Sequence, residues 1–289
     1  MDYRISGTTG LICLLGSPVR HSLSPAMHNE GFQKLGLDYA YMAFEATEGT
    51  LPAVVKSLKF LHARGWNLTM PCKTAMLSLC DKLSPAAELC GAVNTVVNDD
   101  GVLTGYTTDG IGFMRSCQES GHDPVGKKIT MLGAGGAGTA VLVQAALDGV
   151  SEISVFTRSS SRYHDKTVAL IEKLNEQTSC KVTRFDYDHD ILKRELDSSY
   201  MLVNTTNIGM APDTDNTLIE DPDLFHPGLV VADLIYNPRE TKLLRMAKER
   251  GCETFNGLYM LLYQGAAAFK LWTGEDMPVE LIREKYFNE

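Results

Sequence analysis

The chain has 289 residues, of which 44% are hydrophobic and 22% are charged, a composition typical of one large or two medium folded domains. Its formal net charge of -9 argues against a nucleic-acid partner, because binding to the nucleic-acid backbone requires a basic patch that displaces counterions. The apolar runs are too short to span a bilayer, so we expect no membrane partner and a cytoplasmic location.

The seven cysteines argue against a disulfide framework and against a zinc site. They are odd in number, scattered, and contain no C-x-x-C spacing. The histidines show no metal-ligand spacing either, so we predict no metal. Cys72, beside Lys73, is either a reactive thiol or a small apolar residue at a helix start, and the second interpretation is favoured.

Apolar runs of strand length alternate with segments of helical period through the first third of the chain. We predict one helix with Ser24 as its N-cap, Pro25 at its first position and Gly36 as its terminator. A turn and a short strand follow in residues 99–110. The predicted strands cover residues 10–16, 39–45, 65–69 and 92–98, and the predicted helices cover residues 24–36, 50–65 and 71–83.

The third predicted helix places a lysine in an unfavourable position. Pro71 fits the first helical position, so Lys73 falls in the first turn. The N-terminal end of a helix carries partial positive charge, and a cation there costs about 0.3–1 kcal/mol. A functional role for Lys73 would explain this placement.

The second half of the chain continues the alternation and predicts a parallel sheet covered by helices on both faces. We therefore predict an α/β fold with two domains. One comprises residues 1–110 with 258–289, where an apolar C-terminal helix over residues 257–274 packs back, and the other comprises residues 111–257. The predicted strands of the second half begin near residues 127, 152, 180, 200, 229 and 252.

The segment GAGGAG, residues 133–138, fits G-x-G-x-x-G between a predicted strand and a predicted helix. Gly133 allows the tight turn, Gly135 allows backbone to approach a pyrophosphate, and Gly138 allows the helix to pack closely. The helix N-terminus would bind the diphosphate. A glycine turn without a ligand is the alternative, but the strand–turn–helix context favours a Rossmann-type dinucleotide-binding domain.

The residues after the next strand indicate which dinucleotide is bound. An acidic residue about 20 positions beyond the glycines would hold the ribose of NAD, and Arg158 stands there instead. Residues 156–163 contain no acidic residue, whereas Arg158 and Arg162 supply guanidinium groups that suit a phosphate. We predict NADP, with NAD as a second cofactor that the site could accept. The alternative is that both arginines are simply exposed to solvent.

Three further residues have both a structural and a functional interpretation. Ser22 and Ser24 lie just ahead of a predicted helix start, where hydroxyls and free N–H groups can bind a small carboxylate. For this segment alone, simple helix capping by Ser24 is the favoured interpretation. Asp109 also precedes a predicted helix and is either its N-cap or a catalytic carboxylate.

Taken together and in order, the motifs resemble those of the shikimate dehydrogenase family, including its quinate/shikimate dehydrogenase branch. The resemblance covers nearly the whole chain, and NDDG, HPGL and LWTG are similar to the quinate/shikimate branch. The ordered motifs are S-x-S-P at 22–25, N-L-T-x-P-x-K at 67–73, G-A-V-N-T at 91–95, T-D-G at 108–110, GAGGAG at 133–138, NTTNIGM at 204–210, ADLIYNP at 232–238 and GLYMLLYQGAAAF at 257–269.

The resemblance implies an N-terminal substrate domain, a Rossmann-type domain, and interconversion of shikimate and 3-dehydroshikimate with NADP(H), with quinate and NAD as further substrates that the branch allows. Lys73 and Asp109 match the family's catalytic pair. The residues implied to bind substrate are Ser22, Ser24, Asn67, Thr69, Asn94, Tyr236 and Gln264. Those implied to bind the cofactor are Gly133, Gly135, Gly136, Ala137, Thr157, Arg158, Ser159, Arg162, Thr205 and Gly257.

Two other functions stay open at this point. The first is a dehydrogenase of another small hydroxy acid, and the second is a non-catalytic regulatory protein that binds a dinucleotide and a ligand. The presence of Lys73 and Asp109 favours an enzyme, since a lysine can protonate and stabilise a developing alkoxide. The sequence does not establish the oligomeric state, and a homodimer is one alternative.

Overall fold

The computed structural model describes residues 5–287. The chain divides into two compact units, one comprising Met1–Thr108 with Leu262–Glu289 and the other comprising Asp109–Leu261. Each unit has its own sheet. The binding roles assigned to the two parts from the sequence stay predictions.

The first unit is built on a mixed sheet with the strand order β2-β1-β3-β5-β6-β4. Strand β1 pairs in parallel with β2 and β3, whereas β5 runs antiparallel to both β3 and β6. The elements are β1 (Gly10–Gly16), α1 (Ser24–Leu35), β2 (Tyr39–Glu45), α2 (Leu51–Phe60), β3 (Gly65–Leu68), α3 (Cys72–Ala75), β4 (Lys82–Leu83), α4 (Pro85–Cys90), β5 (Thr95–Asp99) and β6 (Val102–Tyr106).

The second unit is built on a fully parallel sheet with the strand order β12-β11-β10-β7-β8-β9. This order confirms the predicted doubly wound, Rossmann-type domain. The elements are α5 (Asp109–Glu119), β7 (Lys128–Leu132), α6 (Gly136–Leu147), β8 (Glu152–Phe156), α7 (His164–Gln177), β9 (Lys181–Phe185), α8 (His189–Asp197), β10 (Met201–Asn204), β11 (Val230–Asp233), α9 (Lys242–Glu249) and β12 (Glu253–Asn256).

Two helices follow the last strand, α10 (Leu258–Thr273) and α11 (Val279–Tyr286). Within the first unit, α10 is fixed against the sheet by Trp272, whose indole N–H donates to the Val96 carbonyl at 2.9 Å. A Cβ on Gly265 would lie 2.2 Å from the terminal methyl group of Met27 of α1, so the glycine leaves room for this side chain between the two helices. The apolar C-terminal helix is buried as predicted.

The predicted helix over residues 71–83 is wrong in its second half. Only α3 is α-helical, a 3₁₀ turn follows over Met76–Leu79, and β4 then pairs with β6. Two backbone hydrogen bonds explain the change, because Asp81 N–H donates to the Leu103 carbonyl and Ser84 N–H donates to the Gly105 carbonyl. Tertiary pairing with a strand about 20 residues later overrides the local helical pattern.

A buried ion pair joins helix α8 to the sheet of the second unit. Glu195 is only 6% exposed and accepts hydrogen bonds from Lys128 Nζ at 2.6 Å and from Ser154 Oγ at 2.7 Å. Burial alone would raise the pKa of the Glu195 carboxyl, but the hydrogen bonds from Lys128, Ser154 and Arg194 lower it to about 2. Glu195 is therefore ionised throughout the ordinary pH range.

We predict that this ion pair makes the folded state sensitive to acid. A depressed folded-state pKa contributes stability above the unfolded value of 4.5, and that stability is lost as pH falls from 4.5 towards 2. Glu195→Gln should therefore lower the free energy of unfolding by about 2 kcal/mol at pH 7, with the deficit shrinking towards pH 3. Urea unfolding of wild type and Glu195→Gln between pH 7 and pH 3 measures this difference in the free energy of unfolding.

The matched control is Glu176→Gln, which removes an exposed carboxylate from α7 of the same unit. This variant should follow the wild-type pH dependence. A Glu195→Gln deficit that is equal at pH 7 and pH 3 would contradict the role of the ionised carboxylate.

Candidate active site

In the first unit, several of the predicted substrate-binding residues gather at the edge where β1 and β3 end. Because β5 is antiparallel to β3, its first residue lies at this same edge, and Asn67 is paired with Thr95. The Leu68 N–H donates to the Asn94 carbonyl at 2.8 Å, which brings the two predicted asparagines onto adjacent segments. Sheet topology thus places residues from distant parts of the sequence side by side.

The helix start at Ser24 differs from the prediction. Helix α1 begins at Ser24 itself, and Leu23 occupies the N-cap position without a side-chain hydrogen bond to the helix. The predicted capping role of Ser24 is wrong, because the helix starts one residue earlier. Pro25 is therefore the second helical residue and not the first, whereas Gly36 ends the helix as predicted. The Ser24 backbone N–H donates instead to Ser22 Oγ at 3.2 Å, so the two serines form one local structure.

Asn67 lies at the centre of a buried polar network. Its side-chain Nδ2 donates to the Asn94 carbonyl at 3.1 Å and to Thr95 Oγ1 at 3.0 Å, while its Oδ1 accepts from the Tyr41 hydroxyl at 2.8 Å. Asn67 is 5% exposed. A buried amide with its partners satisfied is held in one orientation, which is a requirement for selective recognition of a hydroxyl-bearing ligand.

Tyr41 belongs to this network but carries no motif that would have selected it from the sequence. Its hydroxyl donates to Asn67, and burial raises the pKa of the Tyr41 phenol well above its ordinary value. The ring stacks on that of buried His28, with centroids 4.5 Å apart. Burial lowers the pKa of His28 to about 3, so this histidine is a neutral packing partner. Tyr41 therefore orients Asn67, one of the predicted substrate-binding residues.

Asn94 extends the network to the end of the first unit. Its Oδ1 accepts from the Thr108 backbone N–H at 2.8 Å, and its Nδ2 donates to Thr108 Oγ1 at 3.0 Å. Thr108 is fully buried and directly precedes Asp109 in the chain. Asp109 is the first residue of α5, where a carboxylate is stabilised by the helix N-terminus.

Lys73 lies in the four-residue helix α3 and is partly exposed. The helix is short, and Pro71 is its N-cap rather than its first residue, so Lys73 is near both ends. The Lys73 carbonyl accepts from the Val93 N–H at 3.0 Å, which fixes the lysine backbone beside the segment that carries Asn94. Cys72 is fully buried, and burial raises the pKa of its thiol, as expected for an inert packing residue.

In the second unit, the glycine turn lies at the carboxyl end of β7, where the strand order reverses between β7 and β10. Gly133 has a φ of +94°, which favours glycine, and Gly135 is the N-cap of α6. A Cβ on Gly135 or on Gly136 would meet no atom within 4 Å. The first turn of α6, including exposed Gly136 and Ala137, therefore has open space in front of it, and this space fits a diphosphate.

Thr205 supports the turn from the neighbouring strand. Its hydroxyl donates to the carbonyls of Leu132 and Gly133 at 2.9 and 3.0 Å. A Cβ on Gly138 would lie 2.4 Å from Thr205 Oγ1, so the third glycine of the motif allows the close packing that was predicted. Gly133 and Gly138 thus each have a structural reason to be glycine, whereas the space in front of Gly135 is open.

The loop after β8 carries the residues predicted to bind the adenosine ribose. Arg158, Ser159 and Arg162 are exposed, and Thr157 is buried at the end of the strand. Arg162 donates to the hydroxyl of adjacent Tyr163 at 2.7 Å. The loop therefore presents two guanidinium groups, as the NADP prediction requires.

Two charged residues from the neighbouring strand also lie at this loop, and neither was predicted from the sequence. Arg184 of β9 donates to the Thr157 carbonyl at 2.9 Å and to Ser159 Oγ at 2.9 Å. Asp186 accepts from the Ser159 backbone N–H at 2.8 Å. The loop itself contains no acidic residue, but the parallel pairing of β8 and β9 brings a carboxylate to it from the adjacent strand.

The remaining predicted residues lie on separate elements. Gln264 is on α10 and partly buried, and Thr69, also partly buried, follows β3. Tyr236 is 47% exposed in the loop after β11. A Cβ on Gly257 would lie 2.0 Å from the Leu234 carbonyl, so Gly257 permits a close approach of two backbone segments.

Residues 5–287 contain no cluster of histidine, cysteine or acidic side chains that could hold a metal ion. Over the same part of the chain, no helix combines the length and apolar character needed to cross a bilayer.

Comparisons with characterised proteins agree with this arrangement. Residues 14–96 match the family model for the shikimate dehydrogenase substrate binding domain, and residues 257–285 match that for the shikimate 5'-dehydrogenase C-terminal domain. The chain is 54% identical over 287 residues to the shikimate dehydrogenase (NADP(+)) of Listeria monocytogenes serotype 4b (strain F2365), covering 98% of both chains.

Solved structures that are similar to this chain include shikimate 5-dehydrogenases. The shikimate 5-dehydrogenase of Listeria monocytogenes in complex with shikimate and NAD is 52% identical, with a TM-score of 0.96 over 99% of both chains. The Thermus thermophilus shikimate 5-dehydrogenase in complex with NADP(H) and shikimate is 34% identical, with a TM-score of 0.81 over 95% of this chain and 97% of that one. The chain belongs to the shikimate dehydrogenase family.

Proposed function

We propose that the protein catalyses the reversible oxidation of shikimate to 3-dehydroshikimate with NADP(+) as the hydride acceptor. Family membership over nearly the full chain supports this reaction, and the connected array of Tyr41, Asn67 and Asn94 is the structural observation that carries it. Fixed amide and hydroxyl groups of this kind suit a small ligand with several hydroxyl groups and one carboxylate.

The residues of the first unit bind and orient the substrate in this proposal. Ser22 and Ser24 donate to the substrate carboxylate near the start of α1. Asn67, Thr69, Asn94 and Gln264 hydrogen-bond to the ring hydroxyls. The two asparagine amides are already oriented by Tyr41 and Thr108, so little side-chain freedom is lost on binding.

In this proposal Lys73 transfers the proton of the hydroxyl at the reacting carbon. In the oxidation, the hydroxyl at the reacting carbon loses its proton while the C–H hydrogen leaves as hydride, and the lysine amine accepts that proton. In the reduction, the ammonium form donates the proton and stabilises the negative charge that develops on the carbonyl oxygen. Asp109 acts with Lys73 by orienting its amine and stabilising the ammonium form.

The second unit binds the cofactor in this proposal. The first turn of α6, with Gly133, Gly135, Gly136 and Ala137, holds the diphosphate, and the open space at Gly135 and Gly136 fits that group. Bound NADP(+) supplies the carbon that accepts the hydride. Thr205 and Gly257 shape the adjacent backbone, and the loop with Arg158 and Arg162 binds the 2′-phosphate.

The predicted domain roles, the cytoplasmic location and a homodimeric state remain part of the proposal. Sedimentation velocity at several protein concentrations tests the dimer directly. A single species with a mass near 31.7 kDa at all concentrations would contradict it.

The function is tested by initial rates of nicotinamide reduction with shikimate or quinate, each with NADP or NAD. We expect the highest kcat/KM with shikimate and NADP. Comparable rates with quinate would instead indicate the dual-specificity branch of the family. A panel of other small hydroxy acids serves as the control, and a clearly faster reaction with one of them would overturn the substrate assignment.

A further inference from the structure

The 2′-phosphate side of the proposed cofactor site contains a carboxylate. Asp186 follows β9, and its side chain is 55% exposed at the loop after β8. Its Oδ1 accepts from the Ser159 backbone N–H at 2.8 Å, from Ser159 Oγ at 2.7 Å and from Arg184 Nη2 at 2.6 Å.

These contacts use the hydrogen-bond donors that a phosphate would need. A backbone N–H, a serine hydroxyl and a guanidinium at one point are a set of donors typical of phosphate binding. In this chain the carboxylate of Asp186 accepts from all three. The hydrogen bonds from Ser159 and Arg184 lower the pKa of Asp186 to about 2, so the carboxylate carries its negative charge at neutral pH.

We propose that Asp186 is a specificity-determining residue that weakens the preference for NADP over NAD by occupying donors otherwise available to the 2′-phosphate. The inference rests on the proposed function in one respect, namely that the loop after β8 binds the adenosine ribose.

The direction of the effect follows from charge. A phosphate monoester carries a charge of about -1.5 to -2 at pH 7 and is repelled by a nearby carboxylate. A ribose 2′-hydroxyl is neutral and donates a hydrogen bond to the same carboxylate, as acidic residues do in NAD-binding sites. Arg158 and Arg162 remain exposed at the loop and still attract a phosphate, so Asp186 reduces the NADP preference without excluding NADP.

The test is calorimetric binding of NADP(+) and NAD(+) to wild type and to Asp186→Asn. Asparagine keeps the shape and an acceptor for the Ser159 N–H while removing the charge. We expect the affinity ratio of NADP(+) to NAD(+) to rise about tenfold, which corresponds to about 1.4 kcal/mol. Adenosine 2′,5′-bisphosphate and adenosine 5′-monophosphate should show the same change, since they differ only in the 2′-phosphate.

Asp190→Asn is the matched control, because it removes one negative charge from a fully exposed side chain of α8. This variant should leave the affinity ratio unchanged. If Asp186→Asn fails to fold by circular dichroism, Asp186→Ser provides the same loss of charge with a smaller side chain.

An unchanged ratio, or an equal loss of affinity for both cofactors, would overturn the proposal and leave Asp186 a purely structural support for the loop. Failure of the proposed function gives a different result. In that case wild type would bind both dinucleotides and turn over no shikimate, while the ratio measured for Asp186→Asn would still decide the role of the carboxylate.

Discussion

Replacing Lys73 with alanine is expected to lower kcat for shikimate oxidation by about 10³-fold, the middle of the range for loss of a general acid–base group. The reaction needs a proton acceptor at the substrate oxygen, and water in the vacated space is a poor substitute. KM should change much less, because the proposed substrate contacts of Ser24, Asn67 and Asn94 remain. Steady-state kinetics with shikimate and NADP measure both constants.

The fold should survive this substitution. Lys73 is partly exposed in a short helix whose packing depends on buried Cys72 and Met76. Lys56→Ala, which removes an exposed lysine from α2, is the control and should keep wild-type turnover. A folded Lys73→Ala protein with turnover within about threefold of wild type would rule out the proton-transfer role, since loss of such a group costs far more.

Asp109→Asn is expected to lower kcat for shikimate oxidation by about 10²-fold, which steady-state kinetics measure. Asparagine retains the shape of aspartate but cannot stabilise a neighbouring ammonium ion. The double variant with Lys73→Ala should be little slower than Lys73→Ala alone, because residues acting as a unit are not additive.

The free energy of unfolding is a control for the Asp109→Asn variant. The loss of a carboxylate at a helix N-terminus costs about 0.3–1 kcal/mol, which urea unfolding resolves. Glu119→Gln at the other end of α5 removes an exposed carboxylate and should leave kcat unchanged. Fully additive losses in the double variant would show that Asp109 acts independently of Lys73.

The Rossmann-type unit could be predicted because its signals are local. The strand, glycine turn and helix are contiguous over residues 128–147, and Gly133 and Gly138 have geometric reasons that act close to the turn. The parallel order of the other strands follows from the regular alternation of strand and helix. Local periodicity and backbone sterics were therefore sufficient to predict the Rossmann-type unit.

Prediction was less successful wherever a long-range pairing decides the outcome. Residues 71–83 have a helical pattern, but hydrogen bonds to β6 convert their second half into β4. The Tyr41 hydroxyl donates to Asn67, which is 26 positions away in the sequence. Asp186, which follows β9, accepts a hydrogen bond from the Ser159 backbone N–H in the loop after β8. A search for motifs at fixed spacing does not find such partners, because the register of two strands is not encoded near either residue.

Hydride transfer from shikimate to NADP(+) can be measured directly by incubating the purified protein with both compounds and quantifying NADPH and 3-dehydroshikimate in the same sample. We expect the two products to form in equal amounts, and we expect Lys73→Ala to form neither at a comparable rate. Tight binding of NADP(+) without formation of NADPH would contradict the proposed reaction and would favour a non-catalytic, ligand-binding protein.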